Sequence, residues 1–215
     1  MPNNSSTAAP TRAKGRPRGF DRAVALTRAL DVFWRRGYEP TSVAELCTAM
    51  GINPPSLYAA FGSKAKLFLE AVNHYEAAYW DDAWQRMANE PDVHRAIGNF
   101  FQESAGILSA PGAPCGCLVV LAAINVSPES QEVIDALKAL RQEGRDHFLR
   151  RLKRAVKDGE LPPKTDVKTL ATALNTLLEG MSIPARDGLP RAELEGIAAI
   201  AASMVPSRPA VGNRP

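Results

Sequence analysis

Thr41 to Lys64 reads TSVAELCTAMGINPPSLYAAFGSK, and its residue order predicts two short helices joined by a tight turn. Val43, Leu46, Cys47 and Met50 recur at i, i+3, i+4 and i+7, the spacing that gathers apolar side chains on one face of a helix. Ser42 stands three residues before Glu45, the pattern of a capping box in which hydroxyl and carboxylate each satisfy a free backbone N–H. Gly51 follows Met50, where a left-handed residue closes a helix. Asn53 then offers an N-cap and Pro54 a first residue for the next helix. Leu57 and Phe61 share its inward face. Pro55, Ser56, Tyr58, Ala59 and Ala60 are left outside, a compact surface without bulky charge.

Short helix, glycine turn and short helix describe a helix-turn-helix, whose second helix enters the DNA major groove, although two-helix hairpins also serve as plain packing units. Thr41-Ser42-Val43, Met50-Gly51-Ile52, Leu57-Tyr58, Phe61 and Ser63-Lys64-Ala65-Lys66-Leu67 resemble the DNA-binding signature of the TetR family of bacterial regulators. The resemblance spans Phe20 to about Tyr75. It implies a DNA-binding transcriptional regulator, most commonly a repressor, released from its operator by a small effector held in a second helical domain.

Composition agrees with such a protein and excludes other classes. The chain has 215 residues, 45% of them hydrophobic, enough for one large or two modest cores. No apolar run approaches the roughly 18 residues of a membrane span, and the N-terminus lacks a hydrophobic signal segment, so a cytoplasmic protein with no membrane partner is expected. Three cysteines are too few and too unevenly placed for a disulfide framework. No phosphate-binding loop, nucleophile elbow or zinc-protease motif occurs, and His74, His94 and His147 make no metal-ligand spacing. No cofactor is implied.

Charge is uneven. Residues 1–66 hold ten Lys/Arg against four Asp/Glu, whereas the remainder holds 16 against 19, a basic head on a mildly acidic body. Residues 1–19 are rich in Pro, Gly, Ser and Asn without apolar periodicity and are expected to be a disordered basic arm. Within them Lys14-Gly15-Arg16-Pro17-Arg18 resembles an AT-hook core, whose Arg side chains enter narrow minor grooves; a solvated basic tail is the other reading.

Residues 20–66 form the expected helix-turn-helix domain. Asp21 caps a first helix with Leu26, Ala29, Leu30, Phe33 and Trp34 inward, and Gly37 ends it. Ser63 begins a helix with Phe68, Ala71, Val72, Tyr75 and Tyr79 inward, long enough to join the second domain, residues 67–206. Every later periodic segment reads as helix, giving an all-α protein of about nine helices. CGCLVVLAAI, Cys115–Ile124, is apolar almost all round and predicts a central buried helix. Ala171, Ala173, Gly180, Ala199, Ile200 and Ala202 give the last two helices more small and apolar surface than one packed face requires. Close packing across a two-fold follows, and the resemblance implies a homodimer through these helices. Pro184 leaves the end of the first of them open. Residues 207–215 are expected to be a disordered tail.

A helix-turn-helix dimer reads a roughly palindromic site on double-stranded operator DNA. Tyr58 and Lys64 resemble the family's phosphate-contacting positions, and Thr41 and Ser42 at a helix start can also hold phosphate. The outer face from Pro54 to Ala60 carries no Arg, Lys, Asn or Gln for bidentate base contacts. Ser56 could bond a base edge, while Pro55 and Ala59 could pack on thymine methyls. Arg16, Arg18 and DNA shape are therefore expected to carry a large share of affinity and selectivity.

The effector itself is not legible, but candidate walls of its pocket are Trp80, Trp84, Phe101, Leu118, Asn125, Phe148 and Met181. Asn125, a polar residue ending an apolar helix, needs a partner there. Cys117 joins them, because some regulators of the resembling family use a cysteine before leucine at this helix start as a thiol sensor. The positive end of a helix would lower its pKa, and Cys115 could act as a resolving thiol. Alternatives are an inert buried Cys117, a redox or metal sensor built on Cys115 and Cys117, and a thiol enzyme. Against the enzyme stands the missing base, and against metal binding the missing further ligands.

Overall fold

A computed structural model describes residues 19–207, and these contain eleven α-helices, one 3-10 turn and no strand. The order is α1 Arg22–Arg36, α2 Val43–Met50, α3 Pro54–Phe61, α4 Lys64–Tyr79, α5 Asp81–Asn89, α6 Val93–Leu108, α7 Leu118–Leu121, α8 Gln131–Lys157, α9 Val167–Gly180, α10 Ser182–Arg186 and α11 Arg191–Ser203, with the 3-10 turn at Pro128–Ser130 before α8. Nine of the helices have eight residues or more; α7 and α10 are single short turns. Arg16, Arg18 and the tail after residue 207 lie outside the described residues.

Helix starts follow their capping residues. Asp21 accepts from Ala23 N–H at 2.8 Å and Val24 N–H at 3.1 Å, Asn53 from Ser56 N–H at 2.9 Å, and Ser63 from Lys66 N–H at 3.0 Å. The capping box at α2 is only half formed. Ser42 Oγ accepts from Glu45 N–H at 3.2 Å, but the Glu45 carboxylate turns to Arg36 at 2.6 Å. A cation within reach competes for the carboxylate more strongly than a neutral N–H does. Gly51 is left-handed with φ 70°, which lets Ile52 N–H reach back to the Cys47 carbonyl at 3.0 Å and turns the chain toward α3.

Helices α1, α2 and α3 close over Ala29, Leu30, Phe33, Leu46, Cys47, Leu57 and Phe61, all buried. The core continues without a break along α4. Phe68 meets Phe33 edge-on at 5.0 Å between ring centroids, and Tyr75 meets Trp34 at 4.7 Å. Beyond α4, α5 and α6 pack together, α11 lies against α6, and α9 lies against the 27-residue α8. Arg151 of α8 is buried, bonding Glu160 at 3.0 Å and the carbonyls of Glu90 and Pro91 at 3.0 Å each. Pairing with hydrogen bonds is what makes such a burial tolerable.

The expected long helix over Cys115–Ile124 does not form. Only Leu118–Leu121 is helical, and Ile124 is 65% exposed. The Ala122 carbonyl, which would bond forward in a longer helix, instead accepts Tyr38 N–H at 2.8 Å from the end of α1. Pro128 then disfavours helical geometry at Ser127. Pro184 causes no break of its own: α9 ends at Gly180, and Pro184 falls in the first turn of α10, where its missing N–H has no partner to lose.

Candidate nucleic-acid interface and ligand cavity

The caps that start α2 and α3 fix which residues of the helix-turn-helix face solvent. On α3, Pro55, Tyr58 and Ala59 are exposed and Ser56 is half-buried, with Tyr58 49% accessible. Leu57 and Phe61 on the opposite face are buried. Lys64 Nζ donates to the Glu39 carbonyl at 3.2 Å and sits 4.4 Å from the centre of the Tyr38 ring; desolvation lowers its pKa. Ser42 is exposed beside it in sequence to Val43, the first residue of α2.

Thr41 requires a correction. It is 1% exposed, and its hydroxyl donates to the Gly37 carbonyl at 2.6 Å, so the side chain serves the α1–α2 turn rather than a phosphate. Arg28 was not singled out from sequence. It is exposed on α1, its Nη1 lies 3.5 Å from the position a Cβ would take at Gly51, and it makes no ion pair among the described residues. Arg22, Arg35 and Arg36 on the same helix are each bonded to a carboxylate.

The second site is a cavity enclosing about 130 Å³ between α4, α5, α8, α9 and the segment around α7. Of the expected wall residues, Trp80, Trp84 and Cys117 line it. Phe101, Leu118, Phe148 and Met181 do not: each is almost wholly buried, and Phe101 and Phe148 stack on one another at 6.0 Å in the core behind the cavity. Asn125 is exposed, because the helix expected to carry it inward ends at Leu121. The uncharged polar residues that do reach the cavity are Ser182 and Asn175, whose Nδ2 donates to Glu179 at 2.8 Å.

Charged groups make up much of the wall. Glu76, Asp81, Glu143 and Glu179 line it together with Arg141 and His147. Burial, with Asp81 and Glu143 nearby, pushes the Glu76 carboxyl up to about 8. Sequence does carry a signal for Glu76, since Phe68, Val72 and Glu76 stand at i, i+4 and i+8 and place a carboxylate in the apolar stripe of α4. Trp84 is clamped between Phe100 at 4.2 Å and His147 at 4.6 Å, both stacked, which fixes one wall.

Cys117 is 8% exposed at the start of α7. Its pKa is not lowered as expected but pushed up to about 11, chiefly by burial and then by the Glu76 charge. A helix of four residues carries little dipole to oppose that. Cys115 is exposed, and both thiols are free. Among the described residues no group of three or more His, Cys, Asp or Glu is placed to hold a metal ion.

The segment that walls the cavity is also tied to α1. Trp34 Nε1 donates to the Gly116 carbonyl at 2.8 Å, Tyr38 N–H to the Ala122 carbonyl at 2.8 Å, and Arg186 of α10 to the Arg35 carbonyl at 3.0 Å. Gly116 has φ 82°, and a Cβ there would stand 2.7 Å from the Ser182 carbonyl, so only glycine fits.

Helices α1 to α4 thus define the class: a DNA-binding transcriptional regulator of the helix-turn-helix type, carried on a helical body. Residues 25–71 match the model of bacterial regulatory proteins of the tetR family, and residues 94–187 match a tetracycline-repressor-like C-terminal domain. The chain is 36% identical over 201 residues to the HTH-type transcriptional repressor ComR of Escherichia coli K12, covering 91% of this chain and 92% of that one. It is 30% identical over 196 residues to the repressor BdcR of the same organism, covering 91% and 94%. A cysteine mutant of the TetR family regulator CifR, solved with 26-bp double-strand operator DNA, shares 44% identity and superposes with a TM-score of 0.85, over 89% of this chain and all of the other. The chain belongs to the TetR family.

Proposed function

We propose that the chain is a repressor that holds a palindromic operator as a homodimer and lets go when a small molecule enters the cavity. Residues 20–66 act as the DNA-binding unit and residues 67–206 as the effector-binding and dimerisation unit, working in the cytoplasm with no reaction of their own. Two copies set their α3 helices into successive major grooves. Tyr58, Lys64 and Ser42 contact phosphate and Arg28 adds a free cation beside the turn, while Pro55, Ser56 and Ala59 meet the bases. With so few base-reading side chains, Arg16 and Arg18 of the arm supply minor-groove contacts. The relatives named as repressors and the CifR complex with operator DNA support this reading.

The observation that carries the release step is the double anchorage of the cavity wall to α1 and to the turn that follows it, through Trp34 to Gly116 and Tyr38 to Ala122. A ligand that displaces Cys117, Val119 or Val120 moves the main chain on which α1 rests, and α1 carries the helix-turn-helix. Reversible occupancy is favoured over a thiol switch by the burial and raised pKa of Cys117. The test is operator binding by fluorescence anisotropy, with Tyr58→Ala and Trp34→Phe variants. Tyr58→Ala is expected to weaken binding and Trp34→Phe to bind DNA yet respond less to ligand. Unchanged operator affinity in Tyr58→Ala would refute the docking through α3.

A further inference from the structure

The composition of the cavity wall says more than that something binds there. Four carboxylates border it, each from a different helix: Glu76, Asp81, Glu143 and Glu179. One guanidinium opposes them, and Arg141 Nη1 is already donating to the Val119 carbonyl at 3.0 Å. His147 brings no compensating charge at neutral pH, since burial and the neighbouring Arg150 lower its pKa. An independent feature points into the same space. Ser182 lines the cavity, is fully buried, and its hydroxyl has no hydrogen-bond partner among the described residues. A buried hydroxyl left unpaired is costly, so a polar ligand group that pairs with it would be held there.

We propose that the cavity selects an organic amine in its ammonium form, the charged head among Glu76, Glu143 and Ser182 and an apolar body against Trp80 and Trp84. This rests on the reading of the cavity as the effector site and names the chemistry of the effector. An ammonium group supplies N–H donors to carboxylates and to the serine oxygen at once, and its charge relieves the mutual repulsion of the carboxylates. An anion would meet the same carboxylates with the single Arg141 guanidinium to offset them. A neutral molecule of the same shape would gain the apolar contact and leave the carboxylates uncompensated. Because Glu76 is protonated at neutral pH in the empty cavity, entry of the cation expels that proton. The charged or titratable groups around Glu76 are Tyr75 of α4 itself, Asp81 of α5, Arg141, Glu143 and His147 of α8, Glu179 of α9 and Cys117 of the α6–α7 loop.

The test is calorimetry on the DNA-free protein with three probes of one shape: 2-phenylethylammonium, 2-phenylethanol and phenylacetate. The ammonium compound is expected to bind roughly tenfold or more tighter than either other probe, with proton release seen by comparing two buffers of different ionisation enthalpy. Glu76→Gln, which copies the protonated side chain and so keeps the fold, is expected to abolish the proton release and to narrow the affinity gap between the ammonium compound and phenylethanol. Equal affinities across the three probes, or no ammonium binding at millimolar concentration, would overturn the proposal. Operator anisotropy with the same probes separates the two readings: ammonium binding without DNA release sustains the ligand class and overturns the effector role.

Discussion

Glu76 and Cys117 face one cavity, and both are held in their neutral forms by it. For Glu76 the consequence is a stability that depends on pH. Its folded pKa of about 8 lies above the ordinary 4.5, so between those values the folded state holds a proton that the unfolded state has released. Stability therefore falls as pH rises from about 4.5 to about 8, and is unaffected by this group below that window. Glu76→Gln removes the dependence, so the variant is expected to melt higher than the wild type at pH 8 and equally at pH 4. Thermal unfolding at the two pH values checks it; a variant that melts lower at pH 8 would show the carboxylate to be stabilising. For Cys117 the consequence is chemical inertness. Alkylation follows the thiolate, so its labelling by iodoacetamide is expected to lag far behind that of exposed Cys115 at pH 7 and to rise about tenfold per pH unit toward 10. Mass spectrometry of the labelled peptides measures both, and comparable rates at pH 7 would put Cys117 back among the candidate sensors.

Among the elements, those whose ends are written in local chemistry were legible from sequence. Asp21, Ser42, Asn53 and Ser63 each cap the helix expected of them, and Gly51 makes the turn. Removing one such cap tests how far the pair α2–α3 depends on it. Asn53→Ala is expected to cost about 1 kcal/mol in chemical denaturation. Weaker operator binding should accompany it, because α3 then frays at the end that approaches DNA; an unchanged denaturation midpoint would show that packing of Leu57 and Phe61 alone fixes the helix. What sequence did not yield was decided by long-range competition. An apolar run at Cys115–Ile124 satisfies the periodicity of a buried helix, but the Ala122 carbonyl is claimed by Tyr38, 84 residues earlier in the numbering. Glu45 was drawn from its cap by Arg36 on another helix. The cavity was the hardest feature, since large apolar residues such as Phe101 and Phe148 serve core and pocket equally well on paper. Its charged wall comes from four helices, and only their assembly brings Glu76, Glu143 and Glu179 together.

At the scale of the whole molecule, the proposed homodimer would cover the exposed face of α10 and α11. Leu194, Ala198 and Ala201 of α11 turn inward, while Ile200 is 62% exposed, and Ile183 of the neighbouring α10 is 56% exposed. Isolated exposed apolar residues are common, but two large ones on the helices expected at the two-fold fit a homodimer contact. Ile200→Glu is accordingly expected to give a monomer in sedimentation and to lose tight operator binding, with the melting temperature little changed, because the side chain contributes nothing to the monomer core. A variant that sediments as a dimer would move the two-fold elsewhere.

The anchorage of α1 has a consequence for how such a regulator can diversify. Two of the hydrogen bonds that tie it and the turn after it to the cavity wall end on peptide carbonyls of the wall, those of Gly116 and Ala122. Between them stand Cys117, Val119 and Val120, which line the cavity. Mutations at these three positions can reshape what is recognised without touching either linkage. On the proposed reading of the cavity as the effector site, inheritance can therefore exchange the lock while keeping the hinge, and a new chemical signal can be acquired with the old operator still obeyed.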